Sequence, residues 1–169
     1  MLKILVRIVG VLLVVLLVAF LLARRADGPI AIIAGGPFTT GDLYVGPEPD
    51  WEFLRDQREV QFQLLDPPRS RTTWVVEHEG RAYIPSGYMK TPVGRIWKQW
   101  PHEALEDGRA LLRVDGQIYE IQLVRLKEGP AVLPVLQKVS RKYIGGEAPT
   151  STDAVRDDEI WLFELAPRD

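Results

Sequence analysis

Residues Ile4 to Ala23, ILVRIVGVLLVVLLVAFLLA, are apolar except for Arg7, carry Gly10 and lack proline. A run of about 20 apolar residues, rising 1.5 Å each as a helix, matches the ~30 Å hydrocarbon core of a bilayer. A helix packed on a soluble core shows polar residues at a 3.6 period, and this one does not. It reads as a membrane-spanning helix. A cleaved signal peptide is the rival reading, with MLKILVR as its charged start and Ile8 to Ala23 as its apolar stretch. Small residues should then mark a cleavage site, but Arg24 and Arg25 stand there. The apolar stretch is also long against the usual ~7–15 residues. The expectation is an uncleaved anchor and linker over residues 1–27 and one domain over residues 28–169.

Positive charge flanks both ends of the helix, Lys3 and Arg7 before it and Arg24 and Arg25 after it. A short, positively charged amino-terminal tail is usually retained in the cytoplasm. The domain is therefore expected outside the cytoplasm, on a single-pass protein of the inner membrane. The chain has no cysteine, so no disulfide framework or thiol chemistry is available. The net charge is −2 and no basic stripe stands out, which argues against a nucleic-acid partner.

Beyond the helix, ADGP (Ala26–Pro29) reads as a short linker and IAIIA (Ile30–Ala34) as a brief strand ended by Gly35-Gly36-Pro37. Asp50 is placed to cap a helical turn that starts at Trp51. In REVQFQLLD, Val60, Phe62 and Leu64 alternate with Glu59, Gln61 and Gln63, the pattern of a half-buried strand. SRTTWVVEH is rich in strand-favouring residues, Glu79-Gly80 supplies a turn, and RAYIPS returns as its hairpin partner. Pro101 suits the first turn of a helix in PHEALEDGR. RALLRV and QIYEIQLVRL flank Asp115-Gly116, a type I′ hairpin signal. Val132 to Tyr143 carries an amphipathic helical pattern, with basic residues late and Gly145-Gly146 after it. DDEIWLFELA reads as a last strand. Short strands joined mostly by hairpins, with helices between them, predict a mainly β fold: a small antiparallel barrel with flanking helices.

The stretches RTTWVVEHEGRAYIPSG and IWKQWPHEALEDGRALLRVDGQIYEIQLVRL resemble the FMN-binding split-barrel superfamily, in particular its deazaflavin-dependent nitroreductase-like branch and small uncharacterised bacterial relatives. The resemblance spans roughly residues 55–126. It implies a split barrel, FMN or a deazaflavin as cofactor, and a homodimer, since such sites commonly lie between subunits. Carried over position by position, it implies Arg71, Thr73, Ser86 and Lys90 as the phosphate grip, with Trp97 opening the following helix. Two departures accompany it: the stretch after Ser86 is bulkier than the family's, and a membrane anchor is unusual for an enzyme that draws on cytoplasmic reduced cofactors.

From chemistry alone, the guanidiniums and hydroxyls of RSRTT could hold a phosphate, or they could simply form a strand entry in water. Strand alternation puts Arg71 and Thr73 on one face and Ser70 and Thr72 on the other. That arrangement allows at most one guanidinium and one hydroxyl from this strand at a shared site. Tyr88, Trp97 and Trp100 could stack on a ring or plug the barrel mouth. Lys90, Arg95 and Lys98 could meet a phosphate, an anionic lipid headgroup or water. His78 and His102 have no carboxylate at metal-ligand spacing, and no serine sits in a nucleophile elbow, so neither a metal site nor a hydrolytic triad is expected. Two functions are compatible with these residues. One is an anchored flavin- or deazaflavin-dependent oxidoreductase acting on a small or lipophilic acceptor. The other is a non-catalytic envelope module for binding or assembly.

Overall fold

The structure, a computed structural model, describes residues 2–31, 33–92, 94 and 98–168. The helix α1 runs Leu2–Ala23, and its apolar side chains face outward along its whole length except at Ala23. It is long and apolar enough to cross a membrane, a property that a signal sequence shares.

Eight strands come after it: β1 (Asp42–Leu43), β2 (Glu59–Leu65), β3 (Pro68–Trp74), β4 (Val76–His78), β5 (Arg81–Ser86), β6 (Arg109–Val114), β7 (Gln117–Leu126) and β8 (Trp161–Pro167). Among the described residues, three α-helices interrupt them: α2 (Trp100–Glu106), α3 (Val132–Val139) and α4 (Asp153–Arg156). The sheet order is β3-β2-β6-β7-β8-β5-β4, all antiparallel, with short β1 added parallel to the start of β7. The two ends of that order, β3 and β4, are consecutive in the chain and separated by Val75 alone. One bent run of backbone therefore serves both ends of the sheet, and the strands wrap into a split barrel.

The predicted alternation holds. Val60, Phe62 and Leu64 of β2, Ala82 and Ile84 of β5, and Phe163 and Leu165 of β8 all join the interior core. The opposite phase of β5 and β8 puts Tyr83 and Leu162 on the outer face. There they pack under Val132, Val135, Leu136 and Val139 of α3 in a second core. Glu79 and Gly80 (φ 52° and 74°) and Asp115 and Gly116 (φ 48° and 83°) make the two tight hairpin turns with left-handed backbone. Asp50 Oδ1 accepts the Glu52 N–H at 3.0 Å and caps the 3₁₀ turn Trp51–Leu54.

One run departs from the pattern. Where a strand over Ile30–Ala34 is expected, Ile30 and Ile33 are bonded to each other at 3.1 and 2.9 Å and Ala31 turns the chain at φ 52°, while Ile32 lies outside the described residues. Gly35, just after this run, gives the reason. It bridges to Ser70 on the outer edge of β3, and a Cβ at Gly35 would lie 1.8 Å from the Gly28 carbonyl oxygen. The chain doubles back so closely there that the apolar run cannot extend.

The expected linker is likewise built into the barrel. Asp27 Oδ1 accepts the Thr39 N–H at 2.7 Å, its Oδ2 accepts the Thr40 hydroxyl, and Arg113 of β6 lies 2.9 Å away. Arg113 also donates to Gln61 at 2.8 and 2.9 Å and covers the Phe38 ring at 4.1 Å. Gln63 and Ser70 bond the backbone of Phe38 and Gly36. Residues 24–40 thus form a strap sewn to β2, β3 and β6.

Candidate functional site

Trp100 opens α2 and drops into the barrel interior, its ring centroid 4.9 Å from Phe62 and 5.2 Å from Phe163. Pro101 sits in the first turn, where its missing N–H leaves no bond unmade. With Trp100 fixed, Glu103, three positions on, faces β3. Its Oε2 accepts from Arg71 Nη2 at 2.9 Å. Burial pulls the Arg71 guanidinium below its ordinary value, and Glu103 pulls it back in part.

Between β3, α2 and the last turns of α1 lies a cleft of about 750 Å³. Its size is within the range of small-molecule sites. Arg69, Arg71, Thr72, Thr73 and Lys98 supply its polar side, and Phe20, Ile33 and Trp100 part of its apolar side. Arg24 reaches the rim, its guanidinium 4.7 Å from the Phe20 ring. Burial holds the Lys98 ammonium below its usual range, and no described acid offsets this. Glu103 is the single carboxylate among the described lining residues, and it is already joined to Arg71. Among the described residues, Arg24, Arg69 and Lys98 are left without an acidic partner around a concavity with an apolar wall. Such a place favours an anion with an apolar body.

The residues singled out from sequence divide between this cleft and other places. Arg71 and Thr73 share the cleft. β3 supplies two guanidiniums to it rather than one, because Arg69, two positions before Arg71, lies on the same strand face. Lys90 lines a separate apolar slot of about 420 Å³ at the end of β5, with Trp74, Tyr88, Ile144 and Ile160. Ser86 is fully buried, and its hydroxyl lies 3.4 Å from Met89 Sδ. Trp97 and Arg95 lie outside the described residues. Trp100 plugs the barrel, as one of the two aromatic readings expected. Glu103 carried no sequence signal beyond a helix's first turn, and nothing local marks its pairing with a residue 32 positions away. Among the described residues no cluster of three or more His, Asp or Glu could hold a metal ion.

A second polar cluster joins α3 to the bend between β3 and β4. The side chain of Glu77 is buried, with Gly80 N–H at 3.1 Å, Arg55 at 3.3 Å and Lys138 at 3.6 Å. Burial alone would raise the Glu77 carboxyl, but these partners outweigh it and hold it below its ordinary value. Lys142 donates to the carbonyls of Arg55, Gln57 and Val75, and the Tyr143 hydroxyl bonds both the N–H and the carbonyl of Val75. Tyr143 also stacks on Trp74 at 4.5 Å with an interplanar angle of 3°. Every group here is satisfied within the fold, so this is a clamp rather than a site.

Searches with the sequence found no matching family model and no matching curated protein. The structure is similar to that of a conserved hypothetical protein, Rv2991, of Mycobacterium tuberculosis. The TM-score is 0.52 at 15% identity, over 76% of this chain and 84% of that one. A structure described as a candidate pyridoxamine 5'-phosphate oxidase from Listeria innocua aligns at TM-score 0.46 and 12% identity, over 69% of this chain and 88% of that one. The likeness is one of fold. It leaves ligand and activity to the residues of this chain.

Proposed function

We propose that the protein is a membrane-anchored split-barrel module that binds an anionic, phosphate-bearing ligand without transforming it. Its site is the cleft between β3, α2 and the end of α1. In this reading α1 is an uncleaved single-pass anchor in the inner membrane and the barrel stands outside the cytoplasm. The observation that carries the reading is Lys98: a half-buried ammonium with no described acid beside it, sharing with Arg69 a cleft whose one described carboxylate is committed to Arg71. A phosphate placed there would gain charge-assisted hydrogen bonds from groups already short of a counter-ion.

A second reading is a flavin- or deazaflavin-dependent oxidoreductase acting on a small or lipophilic acceptor, with the cofactor held in a homodimer. It is favoured by Arg71 and Thr73 sharing the cleft, as the split-barrel resemblance implies. In the fit to such a cofactor, Arg69 and Lys98 would take the phosphate, while Ser86 and Lys90 stand away from it. Bound there, the ring would supply the hydride chemistry and the protein its orientation.

The test is the detergent-purified full chain. The first reading expects a colourless protein whose melting temperature rises with inorganic phosphate and with FMN but not with riboflavin, which lacks the phosphate. A yellow protein, or one stabilised by riboflavin as strongly as by FMN, favours the second. No shift with any phosphate compound overturns the first. A phosphatase reporter fused after Arg168 tests the compartment.

A further inference from the structure

The cleft is not closed by the barrel alone. Leu16, Ala19 and Phe20 of α1 form one of its walls, and Arg24 stands at its rim. The strap keeps that wall in place. Gly36 N–H bonds the Ala26 carbonyl at 3.1 Å, Gly35 N–H bonds the Ser70 carbonyl at 3.0 Å, and Arg113 grips Asp27. The helix therefore enters the barrel at a fixed place, on the side that carries Arg69 and Lys98.

The anchor reading has a geometric consequence, on which the next step rests. A helix that spans the bilayer puts Leu16 to Phe20 at acyl-chain depth and Arg24 and Arg25, a turn further on, at headgroup level. Arg69 and Lys98 share the cleft with Arg24 and also with Leu16 and Phe20, so in this reading the cleft spans the boundary between headgroups and acyl chains. Ile30 and Ile33, on the turn beside the cleft, are 52% and 42% exposed. Apolar side chains next to a cluster of cations are what a surface dipping into the headgroup boundary presents. The cleft thus opens sideways toward lipid, cationic where phosphates lie and apolar where acyl chains lie.

We propose that the cleft seats the headgroup of an anionic phospholipid from the surrounding leaflet. Its phosphate would lie between Arg69, Lys98 and Arg24, and an acyl chain would run along Leu16 and Phe20. A zwitterionic headgroup carries its own cation into the site and meets Arg69 and Lys98 unfavourably, so the site selects for net negative charge. Arg71, tied to Glu103, frames the site rather than gripping the phosphate. The phosphate is chemistry that a soluble anion such as FMN or inorganic phosphate would share, and the experiment separates these sources.

The full chain in detergent is titrated with short-chain phosphatidylglycerol and with phosphatidylcholine of the same chain length, and binding is read by native mass spectrometry and melting temperature. Phosphatidylglycerol is expected to bind about tenfold or more tightly, as two or three basic side chains at a headgroup allow. Arg69→Gln with Lys98→Gln should erase that preference, and Arg141→Gln, away from the cleft, should keep it. Raising the salt from about 0.05 to about 0.5 M should weaken the preference, giving a readout that needs no variant. Equal binding of the two lipids, or a preference that survives both the paired variant and high salt, overturns the proposal. If FMN and inorganic phosphate bind in a Lys98-dependent way while the lipids do not differ, the cleft is an anion site but not a lipid site. If no phosphate compound binds, the functional reading falls with it.

Discussion

Arg113 Nη1 lies 2.9 Å from Asp27 Oδ1 and joins strand β6 to the first residues after the apolar helix, across 86 positions of sequence. The Thr40 hydroxyl, the Thr39 N–H and Arg113 together hold the Asp27 carboxyl well below its usual range. This pair makes the connection between helix and barrel a structural element rather than a tether.

Replacing that carboxylate tests the strap. Asp27→Asn is expected to lower stability by about 1–2 kcal/mol, the cost of losing a charged hydrogen-bonding partner. The sign with pH is set by the depressed value. The stabilisation is fully present above the ordinary carboxylate pKa of 3.8 and is lost as pH falls through the lower folded value. Melting curves of the wild type and the variant should therefore converge only in strong acid.

Gly35 is expected to tolerate no side chain. A Cβ would meet the Gly28 carbonyl at 1.8 Å and force the strap off β3. Gly35→Ala should raise protease susceptibility within residues 24–40 while leaving the circular dichroism of the barrel strands largely unchanged.

Removing the carboxylate of the cleft should strengthen anion binding. Glu103→Gln frees Arg71 and adds one net positive charge. The affinity for inorganic phosphate or FMN is expected to rise about three- to tenfold, roughly 0.7–1.4 kcal/mol, measured by calorimetry. A fall in affinity would show that Arg71 needs Glu103 to hold its position.

Lys98 gives the cleft its own pH dependence. Burial lowers its folded pKa below 10.5, so protonation is disfavoured by folding. Stability should therefore rise slightly as pH climbs through the window below 10.5, while anion affinity falls over the same window. Lys98→Arg, which does not deprotonate in that range, should move the loss of affinity to higher pH.

Trp100 tests the coupling between core and cleft. It is buried between Phe62 and Phe163 and positions Glu103. Trp100→Ala is expected to destabilise the barrel by about 3–5 kcal/mol. Trp100→Phe should retain the fold with a smaller loss. Thermal unfolding of the two variants separates cavity formation from loss of the fold.

The barrel was legible where one face of a strand meets the core and the other meets solvent, because burial then writes itself as a period of two. β2 and β6–β7 are such strands, and Asp115-Gly116 marks its turn by the left-handed backbone it needs. The run at Ile30–Ala34 misled because apolar composition does not distinguish a strand from a turn pressed against the barrel. Ala26–Pro29 reads as linker because the partner of Asp27, Arg113, lies far off in sequence. For the same reason Glu103 could not be matched with Arg71. The polar side of the cleft was half visible: the alternation of β3 placed Arg71 with Thr73, but the contribution of Arg69 and the wall from α1 depend on how distant elements meet.

The continuity of β3 and β4 through Val75 has a mechanical consequence. In most open sheets the two margins belong to different segments, and losing one leaves the other intact. Here a single nick or a circular permutation at Val75 would uncouple both margins at once and let the wrapped sheet open. Edge strands invite pairing with other chains, and Lys142 and Tyr143, bonded to Val75, fasten both edges at the point where they meet.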